Sequence, residues 1–133
     1  MEIYSLQPGT IISNQFFQIS EDNLDSYLRA TGSTVLLESA KLKIPSIAIA
    51  AWALGATMKA ISLPEGAVHI SHQITASKSV RVGEKVNCLS KIMQNDIRRG
   101  VRFLKIEIQV TQNDAQVLSE VATITIKESG SNG

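Results

Sequence analysis

The 133-residue sequence predicts an α+β domain in which an antiparallel sheet curls around one apolar helix. Three features predict it. From His69 onward the chain repeats segments whose apolar and polar residues alternate, most cleanly in "VRFLKIEIQV", the two-residue period of a half-buried strand. Ahead of them, "IPSIAIAAWALGATMKAISL", Ile44–Leu63, holds a single ionisable side chain, Lys59. A sheet with one apolar face needs a covering layer, and that stretch is the only large apolar element left to supply it.

Taken in order, "NQFFQIS" reads as a first strand. "SEDNLDSYLRATG" follows as a helix: Ser20 caps its first turn, and Glu21 and Asp22 sit at the positive end of its dipole. Leu24, Tyr27 and Leu28 form one apolar stripe, and Gly32 stops the helix. "STVLLESAKLK" has no firm period and reads as irregular loop. The apolar helix starts at Pro45, which tolerates the first turn because it has no N–H to leave unpaired there. Its most apolar part, Ile47–Met58, is about a dozen residues long. That is too short for a membrane span, which needs about 20, and is apolar on all sides, as a buried helix is. "LPEG" ends it.

In "HISHQITAS" a regular strand puts Ile70, His72, Ile74 and Ala76 on one face, and His69, Ser71, Gln73 and Thr75 on the other. "VGE" is a turn, "KVNCLSKIM" a strand, and "QNDIRRG" a loop with Gly100 available for a positive φ. "VRFLKIEIQV" and "VLSEVATITIKE" are the last strands, joined by a turn in "TQNDAQ". These elements make one domain over residues 1–127, with residues 128–133 a disordered tail.

Composition removes several functions. Hydrophobic residues at 44% and charged ones at 19% describe an ordinary globular chain. With 13 Lys and Arg against 12 Asp and Glu, the formal net charge is +1. No broad field gathers phosphates, so nucleic acid is not an expected partner. The lone Cys88 permits no internal disulfide or cysteine cluster, and its setting in "KVNCLSKI" is that of a small buried hydrophobe. "MEIYSLQPGT" has neither the basic start nor the apolar run of a signal peptide, so residence in the cytoplasm is expected. There is no glycine-rich phosphate loop, metal-ligand spacing or nucleophile elbow, so no metal or cofactor is expected.

"LPEGAVHISHQITASKSVRVGEKV", Leu63–Val86, resembles the MaoC-like acyl-thioester hydratases and dehydratases. Members of that family carry "LP-G", a valine–histidine pair, a strand, then a proline and "-RVGD". Ser79 stands here for the proline and Glu84 for the aspartate. "TGS" resembles the family's "TGD", with Ser33 for the aspartate, and "IPS" falls where the family's central helix begins. The resemblance runs from about Pro8 to Lys127 and implies the hotdog fold, a curved sheet wrapped around that helix. Catalytic members place an Asp and a His before the central helix, in a stretch like "GD-NP-H". The pair sets a water against the β-carbon of an enoyl thioester and returns its proton at the α-carbon. Here the segment reads "GSTVLLESAKLKIPS", with no histidine and Glu38 its only carboxylate.

The resemblance therefore implies a protein that binds an acyl-CoA or acyl-carrier thioester, related to hydratases but without the usual pair. It implies a dimer made by pairing sheet edges, either with a second copy or with a catalytic hotdog subunit. Pro45, Ser46 and Ile47 form the thioester end, because the first N–H groups of a helix are unpaired and carry positive partial charge. Trp52 is either core filling or the lining of an acyl tunnel. Glu38 and His69 are candidates for a self-sufficient hydratase or thioesterase, and His72 reads as a hydrogen-bonded core histidine or a further candidate. Arg98 and Arg99 suit either the phosphates of CoA or a solvated turn. A binding module without chemistry is the remaining alternative.

Overall fold

The computed structural model describes residues 2–30 and 43–128. Within them the alternating segments become β2 (Val68–Ala76), β3 (Lys85–Arg98), β4 (Val101–Gln112) and β5 (Ala115–Lys127), preceded by β1 (Ile11–Gln18), α1 (Glu21–Ala30) and α2 (Ser46–Ala60). The strands form one antiparallel sheet in the order β1-β3-β4-β5-β2. β1 and β2 thus occupy opposite edges, and the chain crosses the sheet face between them. It crosses as α2, which packs against β1, β4 and β5.

This is the α+β architecture anticipated from the alternation, with the apolar helix laid on the concave face. Ala48, Ile49, Ala50, Ala53 and Thr57 are the buried side of α2. Small residues there let the helix axis approach the strands, where Ile106, Ile108, Val110, Leu118 and Ile124 are fully enclosed. Each such aliphatic side chain contributes roughly 1.5–3 kcal/mol by leaving water. Thr57 loses no hydrogen bond in the core, since its hydroxyl donates to the Ala53 carbonyl at 2.9 Å.

Several expectations need correction. The helix is apolar all round but not covered all round: Ile47 is 56% exposed, and Ala51, Gly55 and Lys59 continue an open stripe at four-residue spacing. One five-stranded sheet reaches around one side of a helix only. The first strand is Ile11–Gln18 rather than Asn14–Ser20, which frees Ser20 to accept the Asn23 N–H at 3.1 Å as the cap of α1. "QNDIRRG" is mostly strand, because β3 runs to Arg98 and pairs with Val101. The turn is Arg99–Gly100 alone, with φ of 53° and 77°, the two positive values that match a two-residue hairpin to strand twist. Ile3, in the lead-in, is fully buried. Asn95 holds that segment by donating to the carbonyls of Ile3 at 2.7 Å and Leu6 at 2.9 Å.

Leu24 of α1 is buried. The Tyr27 and Leu28 side chains, the Gly32 stop, "TGS", the loop bearing Glu38 and residues 129–133 lie outside the described residues. Among the described residues no helix is long and apolar enough to cross a membrane.

Candidate functional site

The strand that breaks its own pattern is β2. His69 pairs with Ile124 of β5, yet Ser71 pairs with Thr123, so one extra residue, Ile70, sits in a bulge. Ile124 and Ala122 are buried on the concave face, and their partners are His69 and His72. The bulge therefore turns His69 away from the polar face expected for it and sets both imidazoles on the helix side. Their ring centroids are 5.4 Å apart at 48°. The two rings, with Ile70 and Ser71, line an open hollow of about 370 Å³ along the sheet edge.

Behind the rings lies Glu120 of β5. Its side chain has no exposure, and its Oε1 meets His72 Nε2 at 2.6 Å, with the His72 side chain 27% exposed. The row across the sheet explains the burial: Glu120 is flanked by Ile108 of β4 and Ile74 of β2. Among the described residues, Oε2 is buried without a partner, which is rare for so polar an atom. Burial pushes the Glu120 carboxyl up from 4.5 to about 8. The Cys88 thiol, also on the concave face, is pushed up to about 11, by burial first and by the Glu120 charge second. Electrostatically this is a carboxyl group kept from water, its protonated form favoured by burial, against an imidazole that reaches toward solvent. His69 Nε2 is 3.0 Å from the Ser71 carbonyl, so its ring too is held.

The other expected residues are elsewhere. Pro45 is the N-cap of α2 and makes no side-chain cap, and its carbonyl accepts from Ala48 at 3.0 Å and Ile49 at 3.3 Å. Ser46 is half-buried and Ile47 exposed. Trp52 is half-buried over a groove of about 500 Å³ between α2 and β1, lined also by Ser13, Gln15, Gly55 and Lys59. None of Pro45, Ser46 or Ile47 lines it. The candidates thus divide among the amino end of α2, its β1 flank and its β2 flank. Glu38 lies outside the described residues. Arg98 and Arg99 are exposed at the β3–β4 turn, Arg98 being 3.4 Å from Asp96.

Glu120 was not singled out from the sequence, though a signal for it exists. In "VLSEVATITIKE" the face of Leu118, Ala122, Ile124 and Ile126 is apolar except at Glu120. Among the described residues, no three His, Cys, Asp or Glu side chains converge as metal ligands do.

No family model and no curated protein matches the chain. Solved structures do. A monoamine oxidase regulatory protein from Archaeoglobus superposes with a TM-score of 0.76 at 12% identity, over 97% of this chain and 95% of that one. A MaoC-like dehydratase from Rhodospirillum rubrum gives 0.73 at 11% identity, over 92% and 94%. A chain of the ChsH1–ChsH2 complex from Mycobacterium tuberculosis gives 0.68 at 15% identity, over 96% and 94%. The fold is the hotdog fold of these MaoC-like structures.

Proposed function

We propose that the protein is a MaoC-like, hydratase-related acyl-thioester protein that works as a dimer and holds the thioester carbonyl at the amino end of α2. The observation that supports this most is the combination of fold and open edge. α2 is clasped by the sheet, while β2, among the described residues, leaves one side of its backbone ladder unpaired and exposes Val68 and Ile70 beside it. Such an edge is a template for another strand, and a continuous sheet across two hotdog chains removes it. The complex of two named chains among the similar structures accords with a second hotdog chain as partner. The segment before α2 lacks the usual Asp and His, so this chain serves as the acyl-binding subunit, with a second copy or a catalytic hotdog chain beside it. Backbone donors at the first turn of α2 need no particular side chain and survive that loss.

Ser46 is the first helical residue, and Pro45 before it has φ −56° and ψ 135°, the extended conformation that a following proline demands. Ser46→Pro therefore removes one N–H donor while sparing the helix. Titration of crotonyl-CoA and longer acyl-CoAs, followed by Trp52 fluorescence, should show saturable binding that weakens in Ser46→Pro with unfolding unchanged. No binding of any acyl-CoA, by this chain or its dimer, would refute the reading.

A further inference from the structure

We infer that the β1 edge docks an extended segment of another protein as an added outer strand, its aliphatic side chains entering the trough beside Trp52 and its acidic ones facing Lys85. The choice of a foreign segment over a second copy rests on the β2-edge dimer proposed above; the site itself does not.

β1 ends the sheet on the side away from β2, and among the described residues no strand pairs with its outer ladder. Edge strands are ordinarily guarded by lysine, proline or an inward charge, because an open ladder invites pairing. "IISNQFFQ" carries no charge and no proline. Its irregularity falls at Ile12, near the amino end, so Ser13–Gln18 presents a rim in continuous register.

Alternation along that rim opens a hollow on each face. Ser13, Gln15 and Phe17 stand opposite the buried Ser90, Cys88 and Val86, and so face α2. Between them and the helix runs a trough in two adjoining parts, of about 500 and 240 Å³, which share Gln15, Trp52 and Ala56. Asn14 and Phe16 point the other way and line a convex hollow of about 570 Å³ with Lys85, Asn87 and Thr111. There Asn87 Nδ2 donates to Asn14 Oδ1 at 3.0 Å, and Lys85 Nζ stands 5.8 Å from the centre of the Phe16 ring. Phe16 is 67% exposed. Successive side chains of an added strand fall on opposite faces, so they enter trough and hollow in turn. In this mode of recognition main-chain hydrogen bonds supply affinity, and pockets for alternate side chains supply specificity.

Gly55 is an independent observation. It lies inside α2, well away from either end, where glycine weakens a helix relative to alanine. A Cβ built on it would meet nothing within 4 Å, and its φ is not positive, so neither crowding nor backbone conformation requires glycine. What its missing side chain preserves is depth in the trough.

The chemistry of the two faces selects the occupant. Trp52, Ala56 and Phe17 make the trough apolar, with Lys59 its only charge. On the convex face Lys85 begins β3 beside β1, whereas Asp114 sits in the β4–β5 turn, one strand further away. The side of the hollow nearest the rim is therefore cationic and suits a carboxylate. A second β1 does not suit it. With β2 already paired across one two-fold axis, a β1–β1 pair would add another and extend the sheet without closure.

The test uses the full chain and a blocked, fluorescein-labelled octapeptide, (Val-Glu)₄, with (Val-Lys)₄ as control, followed by anisotropy and amide hydrogen exchange. (Val-Glu)₄ should bind saturably, at least tenfold more tightly than (Val-Lys)₄, and should slow exchange of the Asn14–Phe17 amides. Gly55→Leu fills the trough with a better helix former, so binding should weaken at least tenfold with the urea midpoint not lowered. Lys85→Glu should invert the preference between the two peptides. The inference is overturned if neither peptide binds, if binding is indifferent to both variants, or if protection appears on β2 instead. Displacement of the peptide by a long acyl-CoA would assign the trough to an acyl chain, and peptide-free β1 protection in growing filaments would assign the edge to a second copy; either overturns it. Peptide binding reads β1 alone, so its failure leaves the thioester reading standing.

Discussion

Replacing Glu120 by Gln is the most informative single change, because it keeps shape and burial while removing one proton equilibrium. The folded protein holds the Glu120 proton up to about pH 8, whereas an ordinary carboxyl releases it near 4.5. Between those values the native state binds a proton that the unfolded chain has lost. By linkage, stability then falls as pH rises, at roughly 1.4 kcal/mol per pH unit. Across the whole window the ceiling is roughly 5 kcal/mol. Relaxation around the buried carboxyl lowers that ceiling, so about 2–3 kcal/mol is the expected fall from pH 5 to pH 8. Above pH 8 both states are ionised and the slope from this group vanishes. Urea unfolding of wild type and Glu120→Gln at pH 5, 6.5, 8 and 9 measures this directly. The wild-type curve should descend and then level, while the variant stays comparatively flat and gains on wild type as pH rises. Parallel curves for the two proteins would show that the carboxyl is solvated or already ionised, and the electrostatic account of the site would fall with them.

Three further outcomes are expected. Gly100→Ala puts a side chain at φ 77° in the β3–β4 turn and should cost about 1–2 kcal/mol, read by urea unfolding, without altering the oligomer. Val68→Lys with Ile70→Lys places charge on the open β2 edge and should convert dimer to monomer in light scattering, with secondary structure unchanged. Cys88, fully buried and with its thiol pushed up to about 11, should resist alkylation at pH 8 in the native protein. It should react only as fast as the chain opens, and rapid labelling of folded protein would contradict its placement.

The period of the strands and the concentration of small apolar residues in α2 made the layer arrangement legible, because both express which face must leave water. The bulge at Ile70 was not legible. It depends on how β2 meets β5, and a one-residue slip leaves no local mark in "HISHQITAS". The reach of β3 to Arg98 was hidden for a related reason. "QNDIRRG" is polar because Asp96 and Arg98 face water, and polarity alone does not separate a solvated strand from a loop. Parity in "VLSEVATITIKE" did announce Glu120, since one face of that strand is apolar at every other position.

The bulge and the buried carboxylate are independent departures from what a stable sheet requires. A regular β2 would point His69 to the convex face, and an aliphatic residue at position 120 would cost the fold nothing. The two departures nonetheless meet: one turns a second imidazole toward the concave face, and the other anchors the first imidazole at 2.6 Å. Local rules are broken in natural proteins mainly where function demands it. Both breaks border the same stretch of the β2 edge. Removing the extra residue tests what the bulge does for the edge. Deleting Ile70 makes β2 regular while keeping His69 opposite Ile124 and His72 opposite Ala122. Urea unfolding should then show stability raised or unchanged, and a large loss would show that the bulge itself secures β2.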